Sequence, residues 1–393
     1  MLNGPFSPWP AFSQEEADAV ARVLLSNRVN YWTGSECRDF EREFRRFADS
    51  EYAIAVANGT VALDLALYGL GIGENPDDEV IVTSRTFLAS VSSIVMAGAR
   101  PVFADVDRDS QNVTAASVAE KITPRTRAIV AVHLAGWPCE MDELMALAKA
   151  HDLYVIEDCA QAHGARYRGR SVGSIGHVGC WSFCQDKIMT TGGEGGMVTT
   201  SDAELWQRMW AFKDHGKSWE AVYEREHPPG FRWLHESFGT NWRLTEMQAA
   251  IGRIQLERMP RWKAARQANA GRIWQAAAGC KALRVPALPA HCEHAAYKCY
   301  VFVEPQRLAP GWDRDRIMAE IVAAGVPCFS GSCSEVYREK AFDGTGWRPE
   351  RPLAVARELG ETSLMFLCHP TLTEAEIART CAVLEDVMAR ATA

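Results

Sequence analysis

Through the first half of the chain, apolar runs of strand length alternate with stretches whose apolar residues recur every three or four positions. That is the pattern of βαβ units assembling a mostly parallel sheet. The spacing predicts strands over residues 53–57, 79–83, 100–104, 128–132, 154–157, 178–182 and 196–200. It predicts helices over 61–70, 87–97, 141–151 and 203–212, with Thr60 and Ser201 placed to cap the helices that follow. Residues 214–240 are polar, aromatic and Pro-containing without sustained periodicity, and read as a long ordered loop of functional use. A helical pattern returns over 245–275 and is interrupted at Pro260, so a kinked helix pair joining two domains is expected. Strand-like 297–303 and helical 314–324 and 374–391 complete a smaller α+β unit. The expected division is a large domain over 1–255, with an N-terminal arm, and a small one over 256–393.

Composition narrows the function classes. Hydrophobic residues make up 47% and charged residues 23%, which supports a buried core and excludes disordered or collagen-like chains. A formal net charge of −8 argues against a nucleic-acid partner held by a basic face and against a polybasic membrane anchor. No uncharged apolar run reaches the roughly 18 residues of a membrane span, and residues 1–10 have neither a basic nor an apolar leader segment, so a cytoplasmic, unprocessed chain is expected. The 12 cysteines include no C-x-x-C pair and read mostly as buried thiols. His291, Cys292 and His294 come closest to metal-ligand spacing, but in a Pro-bounded loop they read as surface residues, and no metal is expected.

Three glycine-containing segments stand where predicted strands end. Asn58-Gly59-Thr60 precedes a helix. Glycine lets the backbone approach a ligand, and the free N–H groups of a new helix bind anions, although the same residues also make a plain strand-to-helix turn. In Val155-Ile156-Glu157-Asp158-Cys159-Ala160-Gln161-Ala162-His163-Gly164 an apolar strand runs into acids. Asp158 then stands at the C-terminal sheet edge where ligands bind, or else caps a helix or sits on the surface. Lys187 lies 29 residues (187 − 158) after Asp158, between Trp181-Ser182-Phe183 and the turn Gly192-Gly193-Glu194-Gly195-Gly196. Its apolar and small neighbours suit a desolvated amine able to form a Schiff base. An acid, a later lysine and a phosphate cradle together match what pyridoxal phosphate requires of a protein.

These segments join others in the same order: Thr33-Gly34 before Phe40-Glu41, Asp78-Glu79-Val80-Ile81-Val82, Thr86-Phe87, Gly98-Ala99-Arg100-Pro101, His215-Gly216 and Asn241-Trp242-Arg243-Leu244-Thr245-Glu246. Nearly the whole chain thus resembles the DegT/DnrJ/EryC1 family of pyridoxal-phosphate-dependent nucleotide-sugar aminotransferases. The resemblance implies an α/β, aspartate aminotransferase-like (type I pyridoxal-phosphate) fold, its large domain built on a mostly parallel, mixed seven-stranded sheet flanked by helices. It also implies amino transfer from an amino acid, L-glutamate in relatives, to C3 or C4 of a nucleotide-linked keto sugar. The amino sugar would serve surface polysaccharide, such as lipopolysaccharide O-antigen, or other glycoconjugates. An aminotransferase for a keto cyclitol, or a non-catalytic regulator that binds cofactor and sugar nucleotide, are the alternatives.

Residue by residue, the resemblance gives Lys187 the covalent bond to the cofactor and the proton shuttle, and gives Asp158 the pyridine nitrogen. Gln161 would bond the ring hydroxyl, and Ala160 and Phe87 would face the ring, Phe87 having a plain core residue as its alternative. Gly59, Thr60 and Ser182 would bind the phosphate. Asn241 matches a residue that reaches the neighbouring subunit's cofactor, which implies a homodimer with active sites at the interface; otherwise it is a turn residue capping the next helix. Many relatives differ at residues 326–335 and carry histidine where Lys298 stands, so the substrate's nucleotide is left open. Arg85, Lys213, Lys217, Arg232 and Lys298 are candidates for its diphosphate, while His163 and His215 read as structural.

Overall fold

A strand covered by helices on both faces has no polar side to show, so uninterrupted apolar runs become central strands. The computed structural model describes residues 4–393, and in it these runs form β1 (Tyr52–Val56), β2 (Glu79–Thr83), β3 (Arg100–Ala104), β4 (Thr126–Val132), β5 (Tyr154–Asp158), β6 (Val178–Ser182) and β7 (Gly196–Thr200). They make one seven-stranded sheet in the order β1-β7-β6-β5-β4-β2-β3. β7 is antiparallel to both neighbours and the remaining pairings are parallel. All strands but β7 therefore end at the same edge. Residues 1–3 of the expected arm, on which the reading of the terminus also draws, lie outside the described residues.

The helix Gly59–Gly69 starts earlier than predicted because its cap is Asn58, whose side chain accepts the Val61 N–H at 2.9 Å; Thr60 is already in the first turn. Likewise Asp202, not Ser201, caps Ala203–Lys213 by accepting the Leu205 N–H at 2.9 Å. The region 214–240 holds one short helix, Trp219–Tyr223. Pro260 does not break the following segment: Glu246–Ala278 is one helix. A proline costs a helix interior about 3 kcal/mol. Here Leu256, Met259, Trp262, Ala270 and Ile273 bury a continuous apolar face at helical spacing, and that packing outweighs the lost bond. The helix leads to a four-stranded antiparallel sheet of Leu283–Arg284, Cys299–Val303, Ser363–Phe366 and Cys328–Phe329.

The surface reading is corrected for Cys292 and His294, while His291 stays partly exposed against Glu140. Cys292 is 5% and His294 4% exposed, because Cys292–Glu293 pairs as a strand with Arg166–Tyr167 and His294 packs under Trp137 and Trp274. Burial pushes the His294 pKa down to about 3. Among the described residues the 12 cysteines are free thiols, and no helix is long and apolar enough to cross a membrane.

Glu157, one residue before the end of β5, is fully buried and anchors the turn into β6. Its carboxylate accepts the N–H groups of Gly173 (2.8 Å), Ile175 (2.8 Å) and Gly176 (2.6 Å), and meets His133 Nε2 at 3.0 Å. Burial opposes its ionisation, but the bonds from His133 and from the Gly173 and Gly176 N–H groups prevail and hold its pKa below the ordinary value. Glu157→Gln places an N–H donor against these donors and is expected to cost on the order of 2–4 kcal/mol at pH 7, read by urea unfolding. Because the folded-state pKa is depressed, the wild-type advantage is complete above the unfolded value of about 4.3. It is lost as pH falls through the lower folded value, so the two unfolding curves converge in acid.

Candidate active site

In parallel sheets ligands settle beyond the strands' C-terminal ends, where helix N-termini and loop residues converge. That edge opens into a cavity of about 1120 Å³. Asp158, the last residue of β5, borders it at 6% exposure. Its Oδ2 accepts the Ser90 hydroxyl at 2.7 Å and its Oδ1 the Ala160 N–H at 3.1 Å. The Ser90 hydroxyl in turn lies 2.8 Å from that of Thr86. Sequence reasoning missed Ser90; the signal was a Thr86/Ser90 pair four residues apart beginning at a strand end.

Gln161 borders the cavity with its Oε1 taken by the Ala135 N–H at 2.8 Å, which leaves its Nε2 as the free donor. Ala160 lines the wall beside it. Phe87 is 70% exposed on the same cavity, which overturns the plain-core alternative. Gly59 and Thr60 also border it, at the start of a helix whose first N–H groups have no intrahelical partner. A Cβ on Gly59 would lie 2.5 Å from the Cβ of Ser182 and 2.9 Å from its Oγ, so only glycine lets this helix end and the end of β6 close up. Gly59→Ala is expected to weaken pyridoxal phosphate binding by about tenfold or more in a fluorescence titration, with little change in secondary structure.

Lys187 stands in the loop after β6, half-buried, with its Nζ 5.5 Å from the Tyr297 ring centroid and no hydrogen bond or ion pair among the described residues. Its backbone carbonyl accepts the Trp9 indole N–H at 2.8 Å, which pins the N-terminal arm to this loop. The preceding Asp186 accepts the Tyr297 hydroxyl. Burial would raise its pKa, but Lys187 and that hydroxyl hold the carboxyl below its ordinary range. Pyridoxal phosphate fits this donor set: an amine with no hydrogen bond or ion pair among the described residues, a buried carboxylate at a strand end, and a helix N-terminus with a serine hydroxyl beside it.

Other expected residues lie elsewhere. Asn241 is exposed, outside the cavity, and bridges Asp214; the cap of the following helix is Thr245, not Asn241. His163 packs against Trp181 and Phe183, and burial, with Lys187 and Arg266 nearby, pushes its pKa to about 3. His215 is exposed and away from the cavity. Of the candidate cations, Arg85 is buried and committed to Gln111, Ser334 and Ser363, and Lys213 is buried against Tyr31. Lys217 pairs with Asp214, and Arg232 is exposed outside the cavity. Lys298 alone of the five borders the cavity, whose lining also includes Phe329, Gly331, Ser332 and Cys333.

An aminotransferase from Psychrobacter cryohalolentis, solved by X-ray crystallography, superposes with a TM-score of 0.96 at 65% identity, covering 98% of this chain and 99% of that one. The GDP-perosamine synthase of Caulobacter vibrioides is 38% identical over 96% of this chain and 97% of its own length. The dTDP-3-amino-3,4,6-trideoxy-alpha-D-glucose transaminase of Streptomyces venezuelae is 36% identical over 92% and 89%. The expected α/β, aspartate aminotransferase-like fold is thereby established. With residues 10–385 matching its profile, the chain belongs to the DegT/DnrJ/EryC1/StrS aminotransferase family and is a pyridoxal-phosphate-dependent aminotransferase.

Proposed function

We propose that this enzyme moves an amino group from L-glutamate to C3 or C4 of a nucleotide-linked keto sugar, as a homodimer with its active sites at the subunit interface. The observation that carries the reading is the meeting of Asp158, Lys187 and the N-terminus of Gly59–Gly69 around one cavity with room for cofactor and sugar. The two curated relatives are named for nucleotide-linked amino sugars, which supports the acceptor class. In this reading residues 1–255 form the cofactor-binding domain, and residues 256–393 the small domain that contributes Tyr297 and Lys298.

Pyridoxal phosphate, when bound, supplies an aldehyde that carries the amino group and a ring that accepts electrons. Lys187 Nζ holds that aldehyde between turnovers and then moves a proton to and from the substrate carbon. Asp158, oriented by Ser90 and the Ala160 N–H, keeps the ring nitrogen protonated. The N–H groups of Gly59 and Thr60 and the Ser182 hydroxyl take the phosphate, and the free Nε2 of Gln161 donates to the ring hydroxyl. Ala160 and Phe87, both on the cavity wall, would pack against the ring. Asn241, exposed on its own subunit, reaches the partner's cofactor phosphate.

The test is to load the enzyme, treat it with L-glutamate until its visible absorbance has shifted, and offer UDP-, dTDP- and GDP-linked 3- and 4-keto sugars. One of them is expected to restore the spectrum and yield an amino sugar by mass spectrometry. Restoration by a keto cyclitol and by none of the sugar nucleotides overturns the proposal.

A further inference from the structure

We propose that Arg266 and Lys298 form the subsite for the α-carboxylate of the amino donor, an inference that rests on the transamination proposed above. Arg266 lies on the long helix Glu246–Ala278 and is 1% exposed, yet it borders the cavity. Its guanidinium lies over the Trp9 ring, 4.8 Å from the centroid, and its Nη1 donates to the Tyr297 carbonyl at 3.4 Å, but its Nε and Nη2 have no hydrogen-bond partner and no carboxylate pairs with it among the described residues. A guanidinium taken out of water without an anion is costly, so a site that keeps one is built to receive an anion. Lys298 borders the same cavity and also has no ion pair among the described residues. Burial, with Arg266 beside it, lowers its pKa to about 8.

The position of these cations selects the ligand. Tyr297 ties them to the reacting amine: Lys187 Nζ lies 5.5 Å and Lys298 Nζ 4.9 Å from its ring centroid, and Arg266 bonds its carbonyl. An anion held by these two cations therefore sits on the Tyr297 side of the cavity, the side that Lys187 also faces. In an amino acid the α-carboxylate is attached directly to the carbon bearing the amine, whereas a sugar diphosphate is separated from C3 or C4 by the sugar ring. The planar fork of Arg266 also matches a carboxylate edge, with Lys298 adding a point charge. Nearby acids do not fill the place: Asp186 is engaged by the Tyr297 hydroxyl, and Glu194 and Glu339 border the cavity from exposed positions. His369, on the same wall, meets Thr371 through Nδ1 at 2.9 Å, and an imidazole carries no negative charge to fill the place.

The experiment uses the loaded enzyme and variants Lys298→Met, Arg266→Gln and Arg266→Lys. In the half-reaction, L-glutamate alone shifts the visible band, and KM for glutamate is expected to rise about 10–100-fold in Lys298→Met and Arg266→Gln, with partial recovery in Arg266→Lys. By calorimetry, the dissociation constant of 2-oxoglutarate for the pyridoxal form, which cannot react, is expected to rise in parallel. Affinities for UDP, dTDP and GDP are expected to stay within about threefold, well under the cost of a lost charge-assisted bond. Unchanged glutamate KM and 2-oxoglutarate binding overturn the subsite and leave Arg266 as packing. A fall in nucleotide affinity alone overturns it in favour of the diphosphate. Should Arg266→Gln fail to fold, Lys298→Met, on the cavity wall, decides the outcome. No sugar enters the half-reaction, so a wrong acceptor class leaves this result readable.

Discussion

Lys187→Ala is expected to lower transamination by at least about 10⁴-fold while leaving the fold and cofactor uptake in place. Under the proposed mechanism the loss would combine the covalent anchor with the base that moves the proton, each of which contributes several orders of magnitude in enzymes of this kind. The fold survives because the Lys187 amine has no hydrogen bond or ion pair among the described residues, so its removal orphans no group. Cofactor uptake survives because the helix end at Gly59 and Thr60, Ser182 and Asp158 are untouched. Three measurements separate these outcomes. Steady-state turnover reports the chemistry, thermal melting reports the fold, and borohydride reduction followed by peptide mass spectrometry marks Lys187 in the wild type alone. Added methylamine is expected to recover part of the rate, since a small free base can enter a cavity of about 1120 Å³. A variant that stays within tenfold of the parental rate removes Lys187 from the mechanism.

The parts of this protein that sequence reveals are those in which one residue type answers one local demand. Each predicted strand of the large sheet appears within two residues of its expected ends, because a doubly covered strand must be apolar throughout and turns polar only where it emerges. Asp158 and Lys187 were visible for the same reason: an acid ending an apolar strand and a lysine among small residues are locally improbable. Where two local rules compete, the outcome depends on tertiary context. Pro260 should end a helix, and only the buried face of Leu256, Met259 and Trp262 explains why the helix continues. Thr60 and Asn58 are both competent caps, and the chain's extended conformation at Asn58 chooses between them. Cys292 reads as a surface residue because the strand partner that buries it lies more than a hundred residues earlier. Arg266 is hidden for a further reason: in a helix rich in Arg and Lys, nothing local distinguishes the one guanidinium that faces inward.

Asp158→Asn separates charge from shape at the same site, and is expected to reduce turnover by about 10³–10⁴-fold with almost no loss of stability. The carboxylate now uses both oxygens, one for the Ala160 N–H and one for the Ser90 hydroxyl. An asparagine can keep its oxygen on the Ala160 N–H and turn its amide N–H toward Ser90. The Ser90 hydroxyl then becomes an acceptor and redirects its own proton to Thr86, 2.8 Å away. Every buried group remains paired, so the melting temperature should move by only a few degrees. The charge, however, is gone. Opposite charges in hydrogen-bond contact at the effective dielectric of a protein interior are worth on the order of 5 kcal/mol, which corresponds to between three and four powers of ten in rate if a protonated ring nitrogen is needed in the transition state. The neutral amide oxygen can still accept from that nitrogen through its second lone pair, but without a charge it does not favour the cation. Ser90→Ala provides the internal scale: it removes one hydrogen bond to a carboxylate that stays charged, and is expected to cost only about 3–30-fold in turnover. If Asp158→Asn matches Ser90→Ala instead of exceeding it by at least about tenfold, the carboxylate acts by positioning and not by charge.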